Sequence, residues 1–142
     1  MIAQGYARTY RTNSILTASP GQLVLMLYDG ALKAMGMARM AFEEPAFDPQ
    51  RLEKINTQLL KAQAIIDELR AGLNLEAGGD FAKTMYRLYD YHNRRLFEAN
   101  LRKDVAPVIE VERLVRDLRD AWEQMLEQHP AGAAGERIRS VA

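Results

Sequence analysis

A chain of 142 residues is sized for one domain with a real core. Its 19 basic and 19 acidic residues cancel, which excludes a global field that would steer nucleic acid or an anionic membrane. With no cysteine there is neither a disulfide framework nor a thiolate metal site, and no apolar run approaches the ~20 residues of a membrane span.

Taken in order, the first residues lack the basic start and apolar block of a secretory signal. The expectation is a soluble, cytoplasmic protein. Residues 1–18 hold no helical or strand period for long. Tyr10, Ile15 and Leu16 are more apolar than a purely solvated tail requires, so this segment is expected to dock in part.

The first helix is expected over residues 19–42. Ser19 suits an N-cap, Pro20 the first helical position, and Gln22 the capping-box position. From Leu23 to Phe42 the only charges are Asp29, Lys33 and Arg39, and Asp29 and Lys33 are spaced to pair. So apolar a helix must be covered on most sides. Gly30, Ala31, Ala34 and Gly36 keep part of its surface thin for close neighbours.

Asp48-Pro49 starts a second helix, expected over 48–73. Leu52, Ile55, Leu59, Ala62, Ile66, Leu69 and Leu73 alternate spacings of three and four, a seam for a partner helix. Beside the seam runs Asn56, Leu60, Gln63 and Asp67. Leu60 and Ile65 fall off the main stripe. This row reads either as peripheral packing or as a groove wall whose Asn56 and Gln63 amides hydrogen-bond an incoming backbone.

Gly78-Gly79 marks a turn, and Asp80 opens a third helix over 80–102 with its charge at the favourable end. Stripes through Met85, Leu88, His92 and Leu96 and through Tyr86, Tyr89 and Asn93 give a wide buried face. Its tyrosines suit an edge, ring covered and hydroxyl wet. Asp104 caps a fourth helix over 104–128, with a stripe of Val108, Val111, Val115, Leu118, Trp122 and Met125. Its charged outer face, with Glu112–Arg116 and Arg119–Glu123 four apart, reads as solvated surface rather than a binding patch. His129-Pro130 ends it, and an Ala/Gly-rich tail over 129–142 is expected to be flexible.

Four helices of about 20–25 residues with short loops imply an all-α, antiparallel four-helix bundle over 19–128. Catalysis finds little support. The only histidines are His92 and His129, no Glu-x-x-His occurs, and there is no phosphate-cradling or dinucleotide pattern. No cofactor or metal is expected. One alternative is a histidine phosphotransfer bundle using His92, although Asn93-Arg94-Arg95 lacks the expected Lys-Gly. The apolar stripe makes a satisfied, partly buried imidazole the plainer reading. A structural bundle without a client is the other alternative.

Several blocks together resemble one family. Tyr10 to Pro20 (Tyr-Arg-Thr-Asn-Ser-Ile-Leu-Thr-Ala-Ser-Pro), Leu23 to Ala31, Lys61 to Leu69, Glu76 to Asp80, Leu88 to Tyr91, Arg95 to Asn100 and Leu118 to Trp122 are similar, in order, to the flagellar secretion chaperone FliS. The likeness spans roughly residues 6–128. Asn74, Asp80 and His92 depart mildly from the pattern, and the tail lies outside it. The resemblance implies a cytoplasmic, non-enzymatic chaperone that holds the disordered C-terminal segment of flagellin, 1:1, before type III export. It also implies an anti-sigma factor and an export-gate component as further partners. Residues implied or read as client-binding are Tyr10, Ile15, Leu16, Leu52, Asn56, Leu59, Leu60, Gln63, Asp67 and Tyr89. An uncovered groove leaves weak self-association open.

Overall fold

The computed structural model describes residues 18–129. The expectations for Tyr10, Ile15 and Leu16, and for the tail beyond His129, lie outside the described residues. Four helices follow in order: α1 (Pro20–Phe42), α2 (Pro49–Ala71), α3 (Gly79–Arg102) and α4 (Ala106–Gln128). No strand occurs among the described residues.

The ends follow local chemistry. Ser19 and Gln22 form a reciprocal capping box at α1. The Asp48 carboxylate accepts from the Gln50 N–H at 2.9 Å at the start of α2. Gly79, at φ 56, takes the left-handed turn into α3 that a side chain would resist. At α4 the N-cap residue is Val105 rather than Asp104, whose carboxylate instead accepts from the Ala106 N–H at 3.0 Å.

Cross-helix bonds fix the directions. Asn56 meets Asn100 while Gln63 meets Asn93, so α2 and α3 run opposite ways. Arg39 meets Glu112 while Trp122 donates to the Gly21 carbonyl at 2.9 Å, so α1 and α4 do too. Helix α1 packs on α2 and α4, and α3 packs on the same two from across the bundle. This is an antiparallel four-helix bundle.

Alanine makes the α1 side thin. Ala31, Ala34, Ala38 and Ala41 are all buried, and a Cβ added at Gly30 would stand 3.4 Å from Ile65 Cδ1. Gly36 has no such neighbour beyond Arg39 at 3.9 Å, so of these two glycines only Gly30 lies close to another helix. The centre is filled by Met35, Ile55, Leu59, Ile66, Leu96, Val108, Val111 and Val115. Each such side chain stabilises the fold by about 1.5–3 kcal/mol through burial.

Several readings need correction. Leu52, placed in the α2 seam, is 49% exposed, because it lies one turn outside the Asn56–Asn100 contact. Asp29 pairs with Arg119 of α4 at 2.7 Å instead of with Lys33. The charged face of α4 is not only solvated. Glu112 takes a two-pronged bond from Arg39 of α1, and Arg119 reaches both Asp29 and Glu123. His92 is 1% exposed, and its Nδ1 finds no hydrogen-bond partner, so it is neither partly buried nor fully satisfied.

Candidate functional site

At the end of the bundle where α1 begins and α4 finishes, the stripes that close the core lower down line an opening. Val24, Leu27 and Tyr28 come from α1, Leu69 from the end of α2 and Leu73 from the loop after it. Phe81, Met85 and Tyr89 come from α3; Leu118, Trp122 and Met125 come from α4. The cavity holds about 510 Å³, and among the described residues Glu68 is the only charged one on its wall. That size and lining suit an apolar ligand or the anchor side chains of a helix.

The chemistry of the wall is simple. Tyr28 and Tyr89, one from each of two diagonal helices, join hydroxyl to hydroxyl at 2.5 Å. Burial raises the pKa of both phenols, so both stay protonated in neutral water. The expectation of wet tyrosine hydroxyls therefore fails for Tyr89, which is 4% exposed. Trp122 spends its indole N–H on Gly21 and leaves its ring to the cavity. Among the described residues no group of three or more His, Asp or Glu could hold a metal, and no helix is long and apolar enough to cross a membrane.

A second surface lies along the outside of α2 and α3. Its floor is a ladder of amides. The Asn100 amide donates to Asn56 Oδ1 at 2.9 Å. Gln63 Nε2 donates to the Asn93 carbonyl, and Asn93 Nδ2 donates back to the Gln63 carbonyl, both at 3.3 Å. Asn93 also reaches Asp67 at 2.7 Å, and Asp67 receives Arg70, whose guanidinium lies over the Tyr86 ring. Flanking the ladder, Leu60 is 53% and Phe97 58% exposed, with Leu52 and Leu101 also open.

The structure thus divides the expected site residues. Leu52, Asn56, Leu60, Gln63 and Asp67 share the α2–α3 face. The Asn56 and Gln63 side chains, read as free to meet an incoming backbone, are already bonded to α3. Leu59 is fully buried and cannot be a surface contact, because it sits on the seam at the centre of the core. Tyr89 belongs to the cavity instead.

Comparison with known proteins decides the family. The family model described as flagellar protein FliS matches residues 2–129. The chain belongs to the FliS family. It is 41% identical over 127 residues to the flagellar secretion chaperone FliS of Bacillus subtilis, covering 89% of this chain and 90% of that one. The Salmonella typhimurium protein of the same name is 40% identical over 123 residues, covering 86% and 87%. The Escherichia coli protein is 37% identical over 124 residues, covering 87% and 88%. This FliS-family chain is therefore a flagellar chaperone built as a four-helix bundle.

Sequence reasoning missed most of the cavity. Val24, Leu27, Phe81, Leu118, Trp122 and Met125 read as ordinary stripe residues. A signal was present in α4, whose stripe changes from Val108, Val111 and Val115 to the bulkier Leu118, Trp122 and Met125 at one end. Phe97 was visible as an aromatic but not as an exposed one.

Proposed function

We propose that this chaperone binds the disordered C-terminal segment of flagellin in the cytoplasm, one segment per bundle, and hands it to flagellar type III export. The observation that carries this reading is the apolar cavity, which four helices line and which, among the described residues, only Glu68 charges. A monomeric protein gains nothing from holding so much apolar surface open unless something apolar enters it. The exposed Leu52, Leu60, Phe97 and Leu101 on the α2–α3 face extend the surface that a helix-forming segment would cover.

The client logic is thermodynamic. Filament-forming termini left alone would assemble early, so a holder must cover apolar surface and still release it. A disordered client loses ordering entropy on binding, which lets a large contact area coexist with modest affinity. Tyr10, Ile15 and Leu16 would cover part of the groove before the client arrives. An anti-sigma factor and an export-gate component are the further partners this reading admits, and weak self-association the competing use of the groove. No reaction is assigned to the chain.

The phosphotransfer alternative has no accessible nucleophile, because the His92 ring is enclosed by Tyr89 and Tyr91. The client reading is tested by calorimetric titration with a peptide of the flagellin C-terminal region, followed by circular dichroism of the mixture. Saturable 1:1 binding, a negative heat-capacity change and added helicity are expected. A flat titration would sink it.

A further inference from the structure

The Tyr28–Tyr89 pair carries more protons than its geometry uses. Two phenolic hydroxyls hold two protons, and one hydrogen bond between them consumes one. Among the described residues neither hydroxyl has another partner, whereas the Trp122 N–H is already engaged. Tyr28 is 2% and Tyr89 4% exposed, and both rings line the cavity. Deprotonation is no escape, since burial raises both pKa values. A buried donor without an acceptor is costly, so the second proton is a standing demand inside a chamber whose wall is apolar apart from Glu68.

We infer that this pair sets the specificity of the cavity, by offering its second proton to one hydrogen-bond acceptor on an otherwise apolar client helix. This rests on the client reading given above. The occupant is a helical segment whose inserted face carries one amide or hydroxyl side chain among aliphatic or aromatic anchors. An all-apolar face of the same shape leaves the proton unpaired and binds less well. A carboxylate is disfavoured by the charge of Glu68 on the same wall. The accepting tyrosine is the stronger donor of the two, since a hydroxyl that accepts one bond is polarised toward giving the next.

The pair makes an unusual mutational signature. In Tyr28→Phe the Tyr89 hydroxyl loses its partner and turns its own proton to the ligand; Tyr89→Phe does the same with Tyr28. Either single variant keeps a donor, and only the double variant removes it. A merely structural bridge would behave oppositely, with each single variant losing the whole effect.

Two isosteric probes read the proton without any client. Acetophenone offers a carbonyl where α-methylstyrene has a methylene, and NMR titration gives both affinities. The wild-type protein is expected to prefer acetophenone about three- to tenfold, which is the worth of one hydrogen bond. Both single variants keep that preference and the Tyr28→Phe/Tyr89→Phe double variant loses it. Equal affinity of the two probes for wild type overturns the inference, as does a preference that survives in the folded double variant. The wild-type comparison stands even where the double variant does not fold. The flagellin C-terminal peptide is then titrated against the same four proteins. A several-fold loss confined to the double variant supports the inference, and unchanged affinity overturns it for the client. A peptide that fails to bind wild type defeats the client reading, while the ketone preference still decides the chemistry of the cavity.

Discussion

Gln63 and Asn93 clasp each other's helix: each side-chain amide donates to the other residue's backbone carbonyl at 3.3 Å. These carbonyls lie within helices, so each accepts a second bond on its spare lone pair. The clasp sets the register of α2 against α3 where apolar residues would allow sliding. It also leaves Gln63 Oε1 and Asn93 Oδ1 buried without partners.

Removing one half of the clasp should therefore cost less than two hydrogen bonds suggest. Asn93→Ala loses the bonds to Gln63 and Asp67 but also deletes an orphaned acceptor. A net loss of about 1 kcal/mol is expected by urea unfolding. A double-mutant cycle with Gln63→Ala should return a coupling of about 0.5–1 kcal/mol. Additive single effects would show that the two amides act separately.

His92 makes a prediction about acid. Burial lowers its pKa from 6.5 to about 4, with the carboxylate of Glu110 opposing that shift. The unfolded chain therefore binds more protons than the folded one between those values. Stability falls as pH drops below about 6.5 and keeps falling until the folded imidazole titrates near 4. The loss attributable to this group is about 3 kcal/mol at the bottom of that window. Glu110 acts in a different window. Its pKa is lowered by hydrogen bonds from Arg95 and Tyr91, so its contribution is present above 4.5 and lost as pH falls through its folded value. His92→Leu should flatten the stability profile between pH 6.5 and 4 and leave the more acidic loss in place. It should also raise neutral-pH stability by about 1–2 kcal/mol, since the unpaired Nδ1 goes. An unchanged profile would show that His92 does not control this range.

Much of the bundle was legible because the stripes of α2 and α4 are regular and the caps unambiguous. Ser19-Pro20-Gly21-Gln22 specifies a helix start in any context, and the capping box forms as written. What escaped was relational. Leu52 and Ile55 belong to the same periodic seam, yet one is 49% exposed and the other buried, because only the neighbour's length decides whether a seam position is covered. Asn56 and Gln63 looked like free amides since nothing in α2 names Asn100 or Asn93 as partners. The cavity is harder still. An opening is a property of four stripes at one level, and no single stripe announces that the space between them is unfilled.

Gly30 offers a gain. An added Cβ would meet only Ile65 Cδ1, at 3.4 Å, and that atom is the far end of a flexible, half-buried side chain. Helix propensity favours Ala over Gly by about 1 kcal/mol. With the methyl contact tight, Gly30→Ala should stabilise the bundle by about 0.5 kcal/mol in thermal or urea unfolding. Destabilisation beyond 1 kcal/mol would show that Ile65 cannot yield and that glycine is required for the approach of α1 and α2.

Adjacent leucines on α2 separate folding from binding. Leu59 is fully buried among the core side chains, so Leu59→Ala should cost about 2–5 kcal/mol and weaken any client only by unfolding the holder. Leu60, 53% exposed beside the amide ladder, contributes little to the core. Leu60→Asp should leave unfolding within about 0.5 kcal/mol of wild type. If the α2–α3 face receives the flagellin segment, the same change places a charge where an apolar anchor would desolvate it. Affinity should then fall at least tenfold, and Phe97→Asp on the facing helix should do likewise. Circular dichroism melts alongside calorimetric titration make the distinction. A Leu60→Asp protein that melts like wild type and binds like wild type would confine the client to the cavity at the end of the bundle. One that melts like wild type and binds poorly would extend the client's path along α2 and α3, past the Gln63–Asn93 clasp.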